Sequence, residues 1–507
     1  MHRHNDIRVL IHSMDSLEKK EFIRQNTGQK FITKIFCALA LDKNATAGIM
    51  SRNLKLSDYL YRQKCNIIYT ATLGYLLQKK TWELDNKNVN HFIDDRLIEL
   101  HIERGLHDET EKILKKELET SAQYEDLNRL IFLLEKQLKN NSFLPYENAD
   151  VVRAEILKRI KSFSDQREVC THLYIIYTRL LNLRYTVALR TTVLQQQEIT
   201  LLQRNLIHYL PAKLNHTISL IYYYQASLLA EFMMGTTDST IKLNLQLLNC
   251  WIQKPHQINA YPELFIRSVS VQAYTNFLLK EISVAKSYAD SYRQLAEKHL
   301  NIPFYKQWFL IVEFHTLTKI LHKTFRYDEL TIYFAKNWDG IYHSIRVLRA
   351  AEKLDLLVTA SITFFVLGDL QHAENYIQES KEINLKVNRV DTLYFTFIFH
   401  CLILFEKKEW NRLNSLINSE YHFLYSHKSL MPFEKDMLLF IKKMPFIIIK
   451  DNGIQKMELF LQKLDSYKDD KSKKLHFAYF DFYAWIQSKI EGIGYRQYRV
   501  SNADHLS

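Results

Sequence analysis

Ten glycines in 507 residues leave this chain few sharp turns. Turns with positive φ are made most cheaply by Gly or Asn. Sandwiches, barrels and doubly wound sheets use glycine at many turns and at phosphate loops, so the scarcity argues against all three. Collagen-like, low-complexity and disulfide-scaffold classes fall on composition. What survives is an aromatic-rich, nearly all-helical chain. Hydrophobic residues at 47%, with 30 Tyr and 29 Phe, are enough for a long continuous core.

Charge and cysteine usage narrow the setting. The net charge of +12 is uneven, because residues 151–350 carry +10 while the segments on either side carry +1 each. A localised basic field favours an acidic partner. The five cysteines, at 37, 65, 170, 250 and 401, form no C-x-x-C and read as buried reduced thiols. The longest apolar run, Leu393 to Phe405, holds Thr396 and His400 and falls short of the ~18–20 residues of a membrane span. It reads as a buried helix. The first residues lack the apolar stretch of a signal peptide, so a cytoplasmic location and no membrane contact are expected.

Along the chain, Asp15 and Glu18 suggest a capping box before a short helix. Lys30 to Leu41 has Phe31, Ile35, Phe36 and Leu39 on one stripe, and a long helix is expected from about Ser57 to Lys80. Beyond that the text repeats: an apolar helix, a short polar turn, then a second helix with a small or apolar residue near its start. The clearest copy runs through Leu357, Ala360, Ser361, Phe364, Gly368, Asp369, Ala373, Ile377 and Ser380. Weaker copies place the equivalent residue at Thr240, Ala285, Leu330 and Leu413, with an earlier one at Gly105 and Thr110. The later anchors are spaced by 45, 45, 43 and 40 residues, a solenoid signature. Small residues such as Ala273, Ala285, Ala360 and Ala373 stand where helices would touch. The register between 115 and 235 is not fixed by the sequence.

The copy around Gly368 resembles a tetratricopeptide repeat, with its large–small–aromatic first helix, Gly-Asp turn and small residue in the second helix. The terminal proline of that pattern is missing. The resemblance implies an all-α superhelical solenoid of helical hairpins, with a period of about 40–45 residues and hence helices longer than the ~34-residue unit allows. The domains expected are an N-terminal helical cap over 1–50, a repeat array over 51–490 and a C-terminal tail over 491–507. A second resemblance covers the whole chain. Leu10 to Phe22, Phe31 to Phe36, His101 to Leu106 and Ile113 to Lys116 are similar to an uncharacterised family of helical Bacteroidota proteins, which implies a fold and a source but no mechanism.

Motifs that would carry chemistry are missing. No G-x-x-x-x-G-K-[ST], G-x-G-x-x-G or H-E-x-x-H occurs, and no cofactor or metal is expected. Asp94-Asp95 and Asp469-Asp470 point about 100° apart on a helix, so neither pair converges on one atom. The aromatics of Tyr222, Tyr223 and Tyr224 suit a helical core better than base stacking, and nucleic acid is not favoured as a partner. His315, Lys319 and His322 fall on one helical face, but the lysine between the histidines would repel a cation.

The tetratricopeptide pattern puts the first helix of each hairpin on an inner wall. It thereby implies a partner-binding groove lined by Tyr222, Gln225, Arg267, Ser270, Tyr274, His315, Lys319 and His322. These lie in the basic middle section, so an acidic protein or peptide segment, or a free C-terminal carboxylate, is the expected partner. No small-molecule ligand is indicated. The corresponding positions of later hairpins are Val358, Ile362, Phe365, Phe395, Ile398 and Leu402. These are too apolar to face water and are expected to close on a further helix near 476–490 or on another subunit. The function expected is a non-catalytic binding scaffold. The alternatives are a peptide-sensing or nucleic-acid-associated regulator and, less favoured, an enzyme of unrecognised type.

Overall fold

The structure, a computed structural model, describes residues 3–14, 16–41, 46–83, 87–142, 149–187, 193–234, 239–278, 282–345, 348–387, 389–426, 432–449, 452–468 and 479–502. Helices make up 87% of it, and no strand occurs among the described residues. None of its helices is long and apolar enough to cross a membrane. The chain divides into two compact units, one of residues 1–122 and 129–160, the other of residues 123–128 and 161–507.

The first unit opens with α1 (Arg3–Ser13), α2 (Ser16–Gln25), α3 (Lys30–Leu41), α4 (Ala47–Asn53) and α5 (Asp58–Glu83). Helix α3 buries Ile35, Phe36 and Leu39 of the expected stripe, with Phe31 half-buried, and α5 spans the expected long helix, while Asp15 of the expected capping box lies outside the described residues. Helices α1, α3 and α4 pack on α5 around Ile7, Phe22, Phe36, Tyr61 and Ile68. Then come α6 (Lys87–Glu103), α7 (His107–Gln123) and α8 (Leu127–Asn141). Half-buried Arg129 ties them by bonding Asp95 of α6 at 2.5 Å and Glu117 of α7 at 3.3 Å.

Helix α9 (Ala149–Val187) contains the boundary, and α10 (Val193–Ile207) follows. The second unit continues with α11 (Thr217–Met234), α12 (Thr240–Gln253), the short α13 (Gln257–Ala260), α14 (Pro262–Leu278) and α15 (Ile282–His299). It goes on through α16 (Pro303–Lys323), α17 (Tyr327–Ser344), α18 (Ala350–Leu367), α19 (Leu370–Val387), α20 (Val390–Glu406), α21 (Trp410–Ser426), α22 (Pro432–Ile447) and α23 (Gly453–Lys468). Consecutive helices pack in pairs, and helices two apart also touch: α11 on α14 across the short α13, α14 on α16, α16 on α18, α20 on α22.

One turn recurs. Just past the helix, an N–H donates to the carbonyl five residues back in Leu106 to His101 (2.8 Å), Arg326 to Leu321 (3.1 Å), Asp369 to Phe364 (2.9 Å) and Glu409 to Leu404 (3.0 Å). The residue just before each donor is left-handed: Gly105 (φ 73°), Phe325 (55°), Gly368 (86°) and Lys408 (60°). This is the Schellman arrangement. The sequence anchors then fall in one place. Thr110, Leu330, Ala373 and Leu413 are each the fourth residue of their helix and at most 1% exposed. Thr240 instead opens α12, so the register slips by three residues there. The side chains of Ala273 and Ala285 lie outside the described residues. At Ala373 the reason for a small side chain is visible: the Ser361 hydroxyl reaches across from α18 to its carbonyl at 2.6 Å.

The apolar positions of the later helices that were expected to close on a further helix are covered by residues 479–490. Val358, Ile362, Phe365, Phe395, Ile398 and Leu402 share one core with Phe480, Phe482 and Trp485. Phe365 meets Phe480 with ring centroids 5.5 Å apart, and Phe395 meets Tyr479 at 5.0 Å. The covering segment is the helix Phe482–Ile490 with the residues just before it, as expected. A further helix, Tyr495–Ser501, lies in the stretch read as a tail and buries Tyr498 and Arg499.

A Cβ placed on Gly368 would meet no atom within 4 Å, so Gly368→Ala should cost only the left-handed backbone penalty, about 1–2 kcal/mol. Gly340 has equally open surroundings inside α17, and Gly340→Ala should gain roughly 1 kcal/mol of helix propensity. Denaturant unfolding of the two variants should therefore move in opposite directions, and a common direction would contradict the turn assignment.

Candidate functional site

The groove residues expected from the sequence separate into groups. Gln225 of α11 is fully buried, and its Nε2 donates to the Leu264 carbonyl at 3.0 Å and to Ser268 Oγ at 2.6 Å. It holds α11 to α14. Arg267 is 4% exposed, bonds Glu263 at 2.8 Å, lies 3.7 Å from Glu352 of α18, and sits over the Trp308 ring at 5.3 Å. Its charge is met by two carboxylates. Ser270 is half-buried on α14, and the side chain of Tyr274 lies outside the described residues. Tyr222 is half-buried against Tyr174 and Tyr177.

His315, Lys319 and His322 do come together, on the face of α16 that meets α18. Asp355, Thr359 and Thr363 answer them at four-residue steps along α18. His315 Nε2 lies 2.9 Å from Thr359 Oγ1, and His322 Nε2 lies 2.8 Å from Thr363 Oγ1. Both threonines spend their own proton along the helix, Thr359 on the Asp355 carbonyl at 2.9 Å and Thr363 on the Thr359 carbonyl at 2.8 Å. Each hydroxyl oxygen must therefore accept, which puts the hydrogen on Nε2 of both imidazoles.

The Asp355 carboxylate is the hub. It accepts from Arg389 at 2.8 Å and from the Tyr479 hydroxyl at 3.4 Å. The Arg389 backbone N–H is held by Asn384 Oδ1 at 2.9 Å. Burial alone would raise this carboxyl, but Arg389, Lys319, Arg184 and His315 outweigh it and hold it below its ordinary value. Arg184, from α9, lies over the Phe232 ring at 5.9 Å.

Lys319 feels the opposite balance. Burial lowers it to about 8, helped by Arg184, Arg389 and Lys323 and resisted by Asp355. Burial also lowers His322 to about 3 and His315 well below its usual value, so both are neutral at pH 7. His315 and Lys319 nonetheless keep part of their surface accessible. Arg389, Lys319 and Arg184 therefore all act on the Asp355 carboxylate. Nothing in this set resembles a nucleophile–base pair, and no group of three metal-ligating side chains occurs among the described residues. The arrangement can hold an anion.

Sequence reasoning found the α16 half of this cluster and missed Asp355, Thr359, Thr363, Arg389, Arg184 and Tyr479. A signal was present for one of them. Asp355 is a lone carboxylate among Leu354, Leu356 and Leu357, and a charge in so apolar a stretch demands a buried partner. Compared with known proteins, the chain matches no protein family, and no curated protein or solved structure is significantly similar to it.

The histidines make stability depend on acid. In the unfolded chain they take a proton near pH 6.5, while in the folded chain His322 resists down to about 3 and His400 to about 4. Stability should therefore fall as pH drops below about 6.5. The variant His315→Gln/His322→Gln should lose less melting temperature than the parent between neutral and mildly acidic pH. Because His400 and His216 are shifted in the same direction, the slope should shrink rather than vanish.

Proposed function

We propose that this protein is a non-catalytic binding scaffold. In this reading the second unit is a tetratricopeptide-like superhelix of helical hairpins, and it receives an acidic protein or peptide segment on the inner face formed by its first helices. The observation that carries this reading is the gathering of Arg184, Lys319 and Arg389 about Asp355, next to the accessible surface of His315 and Lys319. Guanidinium and ammonium groups bind carboxylates through charge-assisted hydrogen bonds, so an acidic side chain or a terminal carboxylate is the ligand this basic gathering favours. The pairwise contacts of α11, α14, α16 and α18 support a continuous inner wall. The covered inner positions of α18 and α20 limit the open part of that wall to the hairpins before them. A cytoplasmic setting fits five free cysteines, three of them buried.

The test uses the full chain and a hexaglutamate peptide, with its C-terminus free in one arm and amidated in the other. Binding should weaken at least tenfold in Lys319→Gln and fall with salt. It should also weaken as pH rises through about 8, where Lys319 gives up its proton. Equal affinity of parent and variant would overturn the proposal. So would tighter binding of random DNA with a steep salt dependence.

A further inference from the structure

The near-neutral charge of the first 150 residues hides a step. Residues 1–80 hold 14 basic and 6 acidic side chains, while residues 81–150 hold 9 and 16. The basic part is the stretch of α1 to α5 in the first unit. Two of its carboxylates are bonded within it: Glu21 accepts from the Tyr75 hydroxyl at 2.8 Å, and Asp58 accepts from the Ser51 hydroxyl at 2.7 Å. A field of one sign on so small a body draws a polyanion.

Within that stretch α4 and α5 make a short helix, a tight turn and a second helix. The seven-residue α4 ends at Asn53, the turn takes residues 54–57, and α5 starts at Asp58. Lys55 is left-handed (φ 55°), and the Leu56 N–H closes on the Ser51 carbonyl at 2.9 Å. Ser57 caps the second helix, its hydroxyl accepting from the Leu60 N–H at 3.3 Å. Ser51 is buried, and its bond to Asp58 ties α4 to α5. Met50 of α4 and Tyr61, Cys65 and Ile68 of α5 share one core, with Leu54 and Leu56 of the turn packed against it. Helix-turn-helix readers of DNA follow this plan, with a turn of about 3–4 residues and the second helix laid in the major groove. Such turns often carry glycine, and lysine at position 55 leaves no such mark in the sequence.

The face of α5 turned away from that core is polar. Tyr59, Arg62, Gln63 and Asn66 are exposed on it at helical spacing, and Gln63 donates to the Tyr59 hydroxyl at 2.9 Å. Arg52 and Lys55, also exposed, stand just before it in the chain. Lys64 lies instead over the Phe31 ring at 4.0 Å and fastens α5 to α3. We propose that residues 47–70 are a helix-turn-helix that reads duplex DNA, with the exposed face of α5 in the major groove. Arginine matches guanine O6 and N7 there, and glutamine and asparagine match adenine N6 and N7. Arg52 and Lys55 meet phosphates, which position the helix without reading sequence. Duplex RNA hides the same edges in a deep, narrow groove, so the reading is of DNA. The site lies wholly in the first unit and uses nothing of the basic cluster on α16, so either can fail alone.

Selection from a pool of random-sequence DNA duplexes, with the full chain at physiological salt, decides it. One short sequence should be enriched and should bind at least about a hundredfold more tightly than the unselected pool, which should bind weakly. Arg62→Ala and Gln63→Ala change exposed positions and should leave melting unaltered. Each should weaken the selected duplex roughly tenfold and relax the preference at one base pair. Arg52→Gln with Lys55→Gly, which keeps the left-handed turn, should weaken selected and unselected duplexes alike and flatten the salt dependence. Lys319→Gln should leave duplex binding as it was, and Arg62→Ala should leave hexaglutamate binding as it was, so the two sites are scored separately. The proposal is overturned if no sequence is enriched. It is also overturned if Arg62→Ala and Gln63→Ala bind the selected duplex like the parent, or weaken selected and unselected duplexes equally.

Discussion

A single buried carboxylate organises the interior of the second unit. Asp355 accepts from Arg389 and Tyr479, and it holds Lys319 and Arg184 in its field. It thus links α18 to the start of α20 and to the segment that covers their apolar residues, and its field reaches Lys319 of α16 and Arg184 of α9. A buried ion pair of this kind adds little net stability, because desolvation offsets the attraction. Removing one partner is another matter, since the remaining charge is left uncompensated. The carboxylate therefore fixes which helices meet more than it strengthens the meeting. The gathering of basic side chains about it is the feature on which the functional reading rests.

The scarcity of glycine shapes the rest. Helical hairpins need a left-handed residue at the turn, and here the chain supplies glycine at only some of them. Phe325 and Lys408 adopt the same conformation as Gly105 and Gly368. Each forgoes something like a kilocalorie per mole relative to glycine. The turn bonds and the buried fourth residue of the next helix hold them there. Phe325 gains further support from the guanidinium of Arg499, 4.4 Å from its ring.

The same substitution explains what could be read from the sequence. Where the turn residue was Gly368, followed by a small Ala373, the hairpin was plain, and its backbone agrees with that reading. Around Phe325 and Lys408 the copies were faint, because no local residue announces a left-handed turn. Helix α3, the long α5 and the covering of Val358, Phe365 and Phe395 followed from periodicity and from the need to bury apolar faces. The polar cluster was only half legible. His315, Lys319 and His322 share a face by spacing alone, whereas Asp355 and Arg389 stand 34 residues apart and meet only through packing. Gln225 and Arg267 were read as groove residues from the same pattern. Their burial and the bond from Gln225 to the α14 backbone come from neighbours that spacing does not specify, whereas the Arg267–Glu263 pair follows from a four-residue step on one helix.

The charge state of Lys319 is the most direct measure of this account. With lysine labelled at Cε, its carbon shift can be followed by NMR against pH in the free chain and in the presence of hexaglutamate. The account predicts a midpoint near 8 in the free chain that moves upward when the acidic peptide is bound. A midpoint near that of an ordinary lysine, unmoved by the peptide, would contradict it.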